Sequence, residues 1–187
     1  MTKAIIFDCF GVLVGEGWKP FCRKYFGETG ADRQWADEQM QRVSRAEITH
    51  QDFANIIQEK TGVAPDLFLA ALHANPPNTE LLEYIYELKK TYKIGFLSNV
   101  GLNRLSELFT AKQLELFDDI TLSYELHISK PHPDIYKHAA NKLGVDPGAC
   151  IFVDDTPLYC KGAESIGMQA IQYSEYETFT QELEKIL

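Results

Sequence analysis

Three short apolar runs of the sequence each end in groups able to do chemistry: Ala4 to Phe7 ends at Asp8, Lys93 to Leu97 at Ser98-Asn99, and Cys150 to Val153 at Asp154-Asp155. A lysine, Lys130, stands apart in Ser129-Lys130-Pro131-His132-Pro133. Carboxylates gathered at one place repel one another unless a cation neutralises them, and an all-oxygen set with few ligands suits Mg²⁺. The lysine, hydroxyl and amide groups suit a phosphate or another anion.

For those groups to meet, the runs that carry them must be neighbouring strands. An apolar run without polar alternation is what a strand covered on both faces of a parallel sheet requires, and ligands gather outside the carboxyl ends of such strands. Ile120 to Ser123 and Met168 to Tyr173 read as further strands, and helical patterns alternate with them from about residue 79 onward, which suggests βαβ units. Leu81, Ile85, Leu88 and Tyr92 form one helical stripe, and Leu102, Leu105 and Phe109 the buried face of the next helix. Pro133 and Asp134 start a helix running to Leu143, and Ser174 with Glu177 has capping-box spacing for a terminal one.

Between Trp18 and Asn75 no strand pattern occurs. Ala31 to Ala46 and Thr49 to Thr61 carry apolar residues at helical intervals, and a third short helix spans Pro65 to Ala74. Thr49 with Asp52 is a capped start, and Gly62 suits the end. The expected fold is therefore α/β, a parallel sheet sandwiched by helices with a helical insertion after its first strand.

The net charge of −9, from 18 Lys and Arg against 27 Asp and Glu, gives no footprint for nucleic acid. Cys9, Cys22, Cys150 and Cys160 lack zinc-site pairing and disulfide density, and read as reduced packing residues. The first strand begins within a few residues of Met1, leaving no room for a signal peptide, and no apolar run approaches spanning length. A cytoplasmic protein without membrane contact is the expectation.

The ordered set Asp8, Ser98, Lys130-Pro131 and Asp154-Asp155 resembles the four motifs of the haloacid dehalogenase-like hydrolase superfamily, and the likeness covers nearly the whole chain. It implies a Rossmann-like core from residues 1–14 and 76–187, with residues 15–75 as a helical C1-type cap. Glu47-Ile48-Thr49 with Phe53 resembles the phosphatase-type members. By the same resemblance Asp8 is the nucleophile on a small-molecule phosphate ester or acyl phosphate, ionised at neutral pH as an ordinary Asp is. Mg²⁺ would be held by Asp8, the backbone carbonyl of Phe10, and Asp154 or Asp155. Ser98 and the Asn99 backbone amide would hold phosphoryl oxygens, with Lys130 offsetting charge beside the nucleophile.

Phe10 departs from the pattern. Phosphatases of this family carry there a second Asp, which protonates the leaving oxygen and then activates water, a contribution of about 10²–10⁴-fold. Dehalogenating members place an aromatic residue at that position, because a halide leaves without a proton. They also lack the acidic fourth motif, which this chain keeps, and they carry an Asp near the equivalent of Tyr159. The expectation is Mg²⁺-dependent phosphatase-type chemistry with weakened acid-base help. Halide displacement and a catalytically silent binding protein are the alternatives. Trp18, Arg23, Lys24, Tyr25 and Trp35 of the cap read mainly as packing or surface residues, and His127, His132 and His138 share no ligand spacing.

Overall fold

A computed structural model describes residues 1–187. The four residues of β1 (Ala4–Phe7) are wholly buried, and their side chains alternate between two cores. Ile5 and Phe7 point into one layer with Leu81, Ile85 and Phe179, while Ala4 and Ile6 point into the other with Ile135, Tyr136 and Ala140. An apolar run that feeds two cores has no solvent face, so it needs no polar alternation.

Four helices follow: α1 (Trp18–Phe26), α2 (Ala31–Ser44), α3 (His50–Thr61) and α4 (Pro65–Leu72). They form a small bundle around a third core of their own, containing Trp18, Phe21, Phe53, Ile57 and Phe68. Thr49 accepts from the Asp52 backbone amide while Asp52 accepts from that of Thr49, and Gly62 closes α3 in the left-handed conformation. Trp18 and Phe53 are buried in this core, whereas Arg23 pairs with Glu28 on the surface. The strands of chain leading into and out of the bundle run side by side. The Gly15 amide donates to Pro76 O at 2.8 Å, and Asn75 Nδ2 to Gly15 O at 2.9 Å.

The chain then alternates: α5 (Thr79–Leu88), β2 (Lys93–Ser98), α6 (Leu105–Leu108), α7 (Ala111–Leu114), β3 (Asp119–Leu122), α8 (Ser123–Leu126), α9 (Pro133–Leu143), β4 (Cys150–Asp154), α10 (Pro157–Glu164), β5 (Gln169–Gln172) and α11 (Tyr176–Ile186). The five strands pair in parallel in the order β3-β2-β1-β4-β5. β1 lies at the centre, with Phe7 level with Phe96 of β2 and Val153 of β4. That register delivers Asp8, the end of β2 and the end of β4 to one edge.

Two local expectations fail. The stretch from Leu102 to Phe109 is not one helix: it is an irregular loop followed by the single turn α6, and Leu102 is 40% exposed. Thr110 and Gln113 make a capping box that restarts the helix as α7, so the chain is punctuated where a continuous stripe was expected. At the C-terminus, Ser174 does not cap α11. Glu175 occupies that place, and its carboxylate accepts from Thr178 Oγ1 rather than from a backbone amide.

Candidate active site

At the centre is Lys130, wholly buried on the loop before α9. Its ammonium donates to Asp8 Oδ1 at 2.5 Å, to Asp154 Oδ2 at 2.6 Å and to Leu97 O at 3.3 Å, which uses all three N–H groups. The Phe152 and Tyr159 rings flank it at 5.3 and 5.1 Å. Burial by itself would lower the Lys130 pKa, but Asp154 and Asp8 outweigh it and hold the ammonium protonated.

One ammonium cannot fully serve two carboxylates. Burial, then repulsion from Asp154, pushes Asp8 well above the usual carboxylate range against the pull of Lys130. Asp154, also raised by burial, uses its second oxygen to accept from the Thr156 amide at 2.8 Å. Within the protein alone, burial and Asp154 thus oppose the ionised form of Asp8 that the sequence suggests, with Lys130 the one cation bonded to it.

Asp8, Asp154 and Asp155 each offer a carboxylate oxygen within 4.8 Å of the others. The Phe10 carbonyl accepts no hydrogen bond from the rest of the chain. The three acids form the hard, all-oxygen donor set that a divalent cation prefers, and a cation there would relieve the repulsion that raises Asp8. The residues present therefore fit Mg²⁺. Gly11 makes the approach possible: its φ is +84°, and an added Cβ would stand 2.1 Å from Asp155 Oδ2.

Ser98 ends β2, is 1% exposed, and its Oγ is buried without a hydrogen-bond partner. A sealed hydroxyl without a partner is costly unless something else fills its valence. Asn99 does more than its backbone suggested. Its Nδ2 donates to Lys130 O at 3.0 Å and its Oδ1 accepts from the Lys130 amide at 2.8 Å, clasping the lysine loop to the end of β2. Asp8, Ser98, Asn99, Lys130, Asp154 and Asp155 thus stand at one edge, as their spacing along the chain implied.

The helical bundle closes over this edge. Gln41 of α2 donates to the Tyr159 hydroxyl at 2.8 Å and accepts from Ser129 Oγ at 2.6 Å, and Ser123 Oγ donates to Ser44 O at 2.6 Å. Between bundle and sheet lies a cavity of about 380 Å³ lined by Asp8, Phe10, Asn99, Lys130 and Asp155 from the sheet side and by Trp18, Lys19 and Met40 from the bundle. Phe10 takes part as a half-buried wall.

Lys19 was not foreseen. From α1 it reaches the sheet edge, bonding Asp155 at 2.5 Å and Thr156 Oγ1 at 3.1 Å, with Glu16 at 3.1 Å on its other side. Burial pushes the Glu16 carboxyl up to about 7, with Lys19 restraining the rise. A lysine on an amphipathic surface helix carries no signal that sets it apart from solvated lysines, so only its partners identify it.

A family model described as haloacid dehalogenase-like hydrolase matches residues 2–167. The chain is 26% identical, over 98% of its length, to bifunctional epoxide hydrolase 2 of Sus scrofa, of which it spans 38%. It is 27% identical to (S)-2-haloacid dehalogenase 4A of Burkholderia cepacia, covering 91% of this chain and 82% of that one. Its fold superposes on the HAD family enzyme bt-2542 of Bacteroides thetaiotaomicron, solved in complex with magnesium and inorganic phosphate, with a TM-score of 0.68, 24% identity and coverage of 96% and 99%.

Proposed function

The chain belongs to the haloacid dehalogenase-like hydrolases, and from that membership we propose that it is a Mg²⁺-dependent phosphatase-type enzyme acting on small phosphate esters or acyl phosphates through an aspartyl-phosphate. The observation that carries this reading is the acid trio Asp8, Asp154 and Asp155 beside a buried, fully bonded Lys130 and the unpartnered Ser98 hydroxyl. An acid-rich centre with one unpartnered hydroxyl suits a cation plus a phosphoryl oxygen. The solved complex of the Bacteroides enzyme with magnesium and inorganic phosphate supports the same ligand pair.

In the proposed reaction an Asp8 carboxylate oxygen attacks phosphorus, and the bond from phosphorus to the leaving oxygen breaks with its electron pair going to the leaving group. Water then attacks the aspartyl-phosphate, releasing phosphate and restoring the carboxylate, so one difficult displacement becomes two easier ones. Ser98 Oγ and the Asn99 amide hold the phosphoryl oxygens. Lys130 keeps Asp8 oriented and tempers its negative charge. The cation, held by Asp8, Asp154, Asp155 and the Phe10 carbonyl, would neutralise charge on the transferring group.

Phe10 cannot donate or accept a proton, so leaving groups that need little protonation, acyl and aryl phosphates, are the favoured substrates. The same aromatic residue and the Burkholderia relative favour a second reading, halide displacement from 2-haloacids. The deciding experiment assays acetyl phosphate, 4-nitrophenyl phosphate and 2-chloropropionate with and without Mg²⁺. The phosphatase reading expects Mg²⁺-dependent release of phosphate that Asp8→Asn abolishes. Metal-independent chloride release with no phosphate turnover would replace it by the second.

A further inference from the structure

We propose that Arg104 recognises a second anionic group on the substrate, a carboxylate or a second phosphate carried by the leaving group; the assignment rests on the phosphatase reading above. Arg104 follows β2 on the irregular loop, is 8% exposed, and lines the same cavity as Asp8 and Lys130. Its Nε donates to Glu107 Oε2 at 2.8 Å, and that carboxylate is itself 60% exposed. No other protein group accepts from the guanidinium, so the terminal nitrogens, with four of its five N–H donors, are free. They are not sealed off: the buried side-chain polar atoms without a partner are Asn75 Oδ1 and Ser98 Oγ alone. The open donors therefore face space that a ligand or solvent can enter.

The other cations of the cavity are otherwise engaged. Lys130 spends its three donors on Asp8, Asp154 and Leu97, and Lys19 is held by Glu16, Asp155 and Thr156. Arg33 has one carboxylate partner, Asp37, but its side chain is 20% exposed, so water can complete its bonding. Arg104 is nine-tenths buried with a single partner, and its open donors face the cavity rather than bulk solvent. A fork of parallel N–H groups in such a place matches the oxygens of a carboxylate or phosphate two at a time.

Its position fits the leaving group rather than the transferred phosphoryl. A Cβ on Gly101 would stand 2.6 Å from Val43 and 3.1 Å from His50, so the bundle rests directly on the Arg104 loop. Burial, followed by the neighbouring His73 and Arg104, pushes His50 down to about 4, which leaves that imidazole neutral at pH 7 and Arg104 the cation of this flank. Phe10, Val43, Leu72 and Val100 supply apolar wall on the same cavity. The substrate this describes has a compact apolar or aromatic body with a phosphate at one end and another anion at the other.

The test compares KM for phenyl phosphate, 4-carboxyphenyl phosphate and 1,4-phenylene bisphosphate in the Mg²⁺-loaded protein, in Arg104→Met and in Arg104→Lys, with thermal melts confirming that each variant folds. In the native protein KM should be lower by about tenfold or more for at least one doubly anionic probe, the size expected of a bidentate charged contact. That ratio should fall to about one in Arg104→Met and recover only partly in Arg104→Lys, which keeps the charge without the fork. The better of the two anionic probes identifies carboxylate or phosphate as the second group. A native ratio near one, or a ratio that survives Arg104→Met, overturns the assignment, and the native comparison stands even where a variant does not fold. If phenyl phosphate and both probes go unhydrolysed, the phosphatase reading fails instead. Arg104 is then judged by benzoate binding, which would retain the anion site if it is present and lost in Arg104→Met, and would remove it if absent.

Discussion

Replacing Lys130 by Met should remove the one cation serving two buried acids. The ammonium is wholly buried and sits 2.5 and 2.6 Å from Asp8 and Asp154. Methionine fills most of the volume, so the cost is electrostatic rather than a cavity. Breaking a buried pair by deleting one partner costs about 3–5 kcal/mol. At about 2–4 °C per kcal/mol for a chain of this size, the melting temperature should fall by about 6–20 °C. The loss should depend on pH with a definite sign. Without Lys130 the folded-state pKa of both acids rises further above the unfolded value of about 3.9, so the folded state binds more protons and stability falls as pH rises above that value. The deficit is therefore full near pH 7, smaller at pH 5 and smallest near pH 4. Urea unfolding followed by circular dichroism at the three pH values measures it, and Lys130→Met combined with Asp154→Asn should recover part of the loss at pH 7. A deficit below about 1 kcal/mol at pH 7, or one that does not change with pH, would refute the charge accounting on which the site description rests.

Ser98→Ala tests the opposite kind of residue, a buried hydroxyl with no partner in the protein. Its removal should shift stability by less than about 1 kcal/mol, while kcat/KM for 4-nitrophenyl phosphate falls by about 10²–10³-fold if the hydroxyl holds a phosphoryl oxygen; equal losses in folding and turnover would count against that role. Phe10→Asp should raise turnover of an alkyl phosphate by about 10²–10⁴-fold and change acetyl phosphate hydrolysis much less, as read from paired steady-state assays. His50 supplies a pH dependence away from the acid trio. Its pKa lies near 4 in the fold, chiefly through burial, against about 6.5 unfolded, so the folded state binds fewer protons and stability is lost as pH falls from about 6.5 toward 4. His50→Gln should flatten that slope in denaturant titrations at pH 7 and pH 5, and an unchanged slope would show that the imidazole is not held neutral.

Much of this protein is legible from its sequence. Ala4 to Phe7 and Cys150 to Val153 are continuous apolar runs because each feeds two cores at once, and such runs do not depend on distant partners to be recognised. Thr49 with Asp52, Gly62, and Pro133 are local signals, and each acts where it stands. The parallel direction of the strands follows from alternation of helix and strand, so the placement of Asp8, Ser98 and Asp154 at one edge followed as well.

Only the tertiary structure decided the rest, and the reason is the same throughout: pairings across long separations leave no local pattern. Leu102 reads as a buried helical residue, yet it stands in an irregular loop ahead of α6 and is 40% exposed. Asn99 reads as a backbone donor until its side chain is found clasping Lys130, 31 positions away. Lys19, 136 positions from Asp155, reads as one more surface lysine. The proton affinity of Asp8 is the clearest case. Its type and place are written in the first eight residues, but its raised pKa is set by burial, by Asp154 and by Lys130, which meet it only when the sheet is assembled.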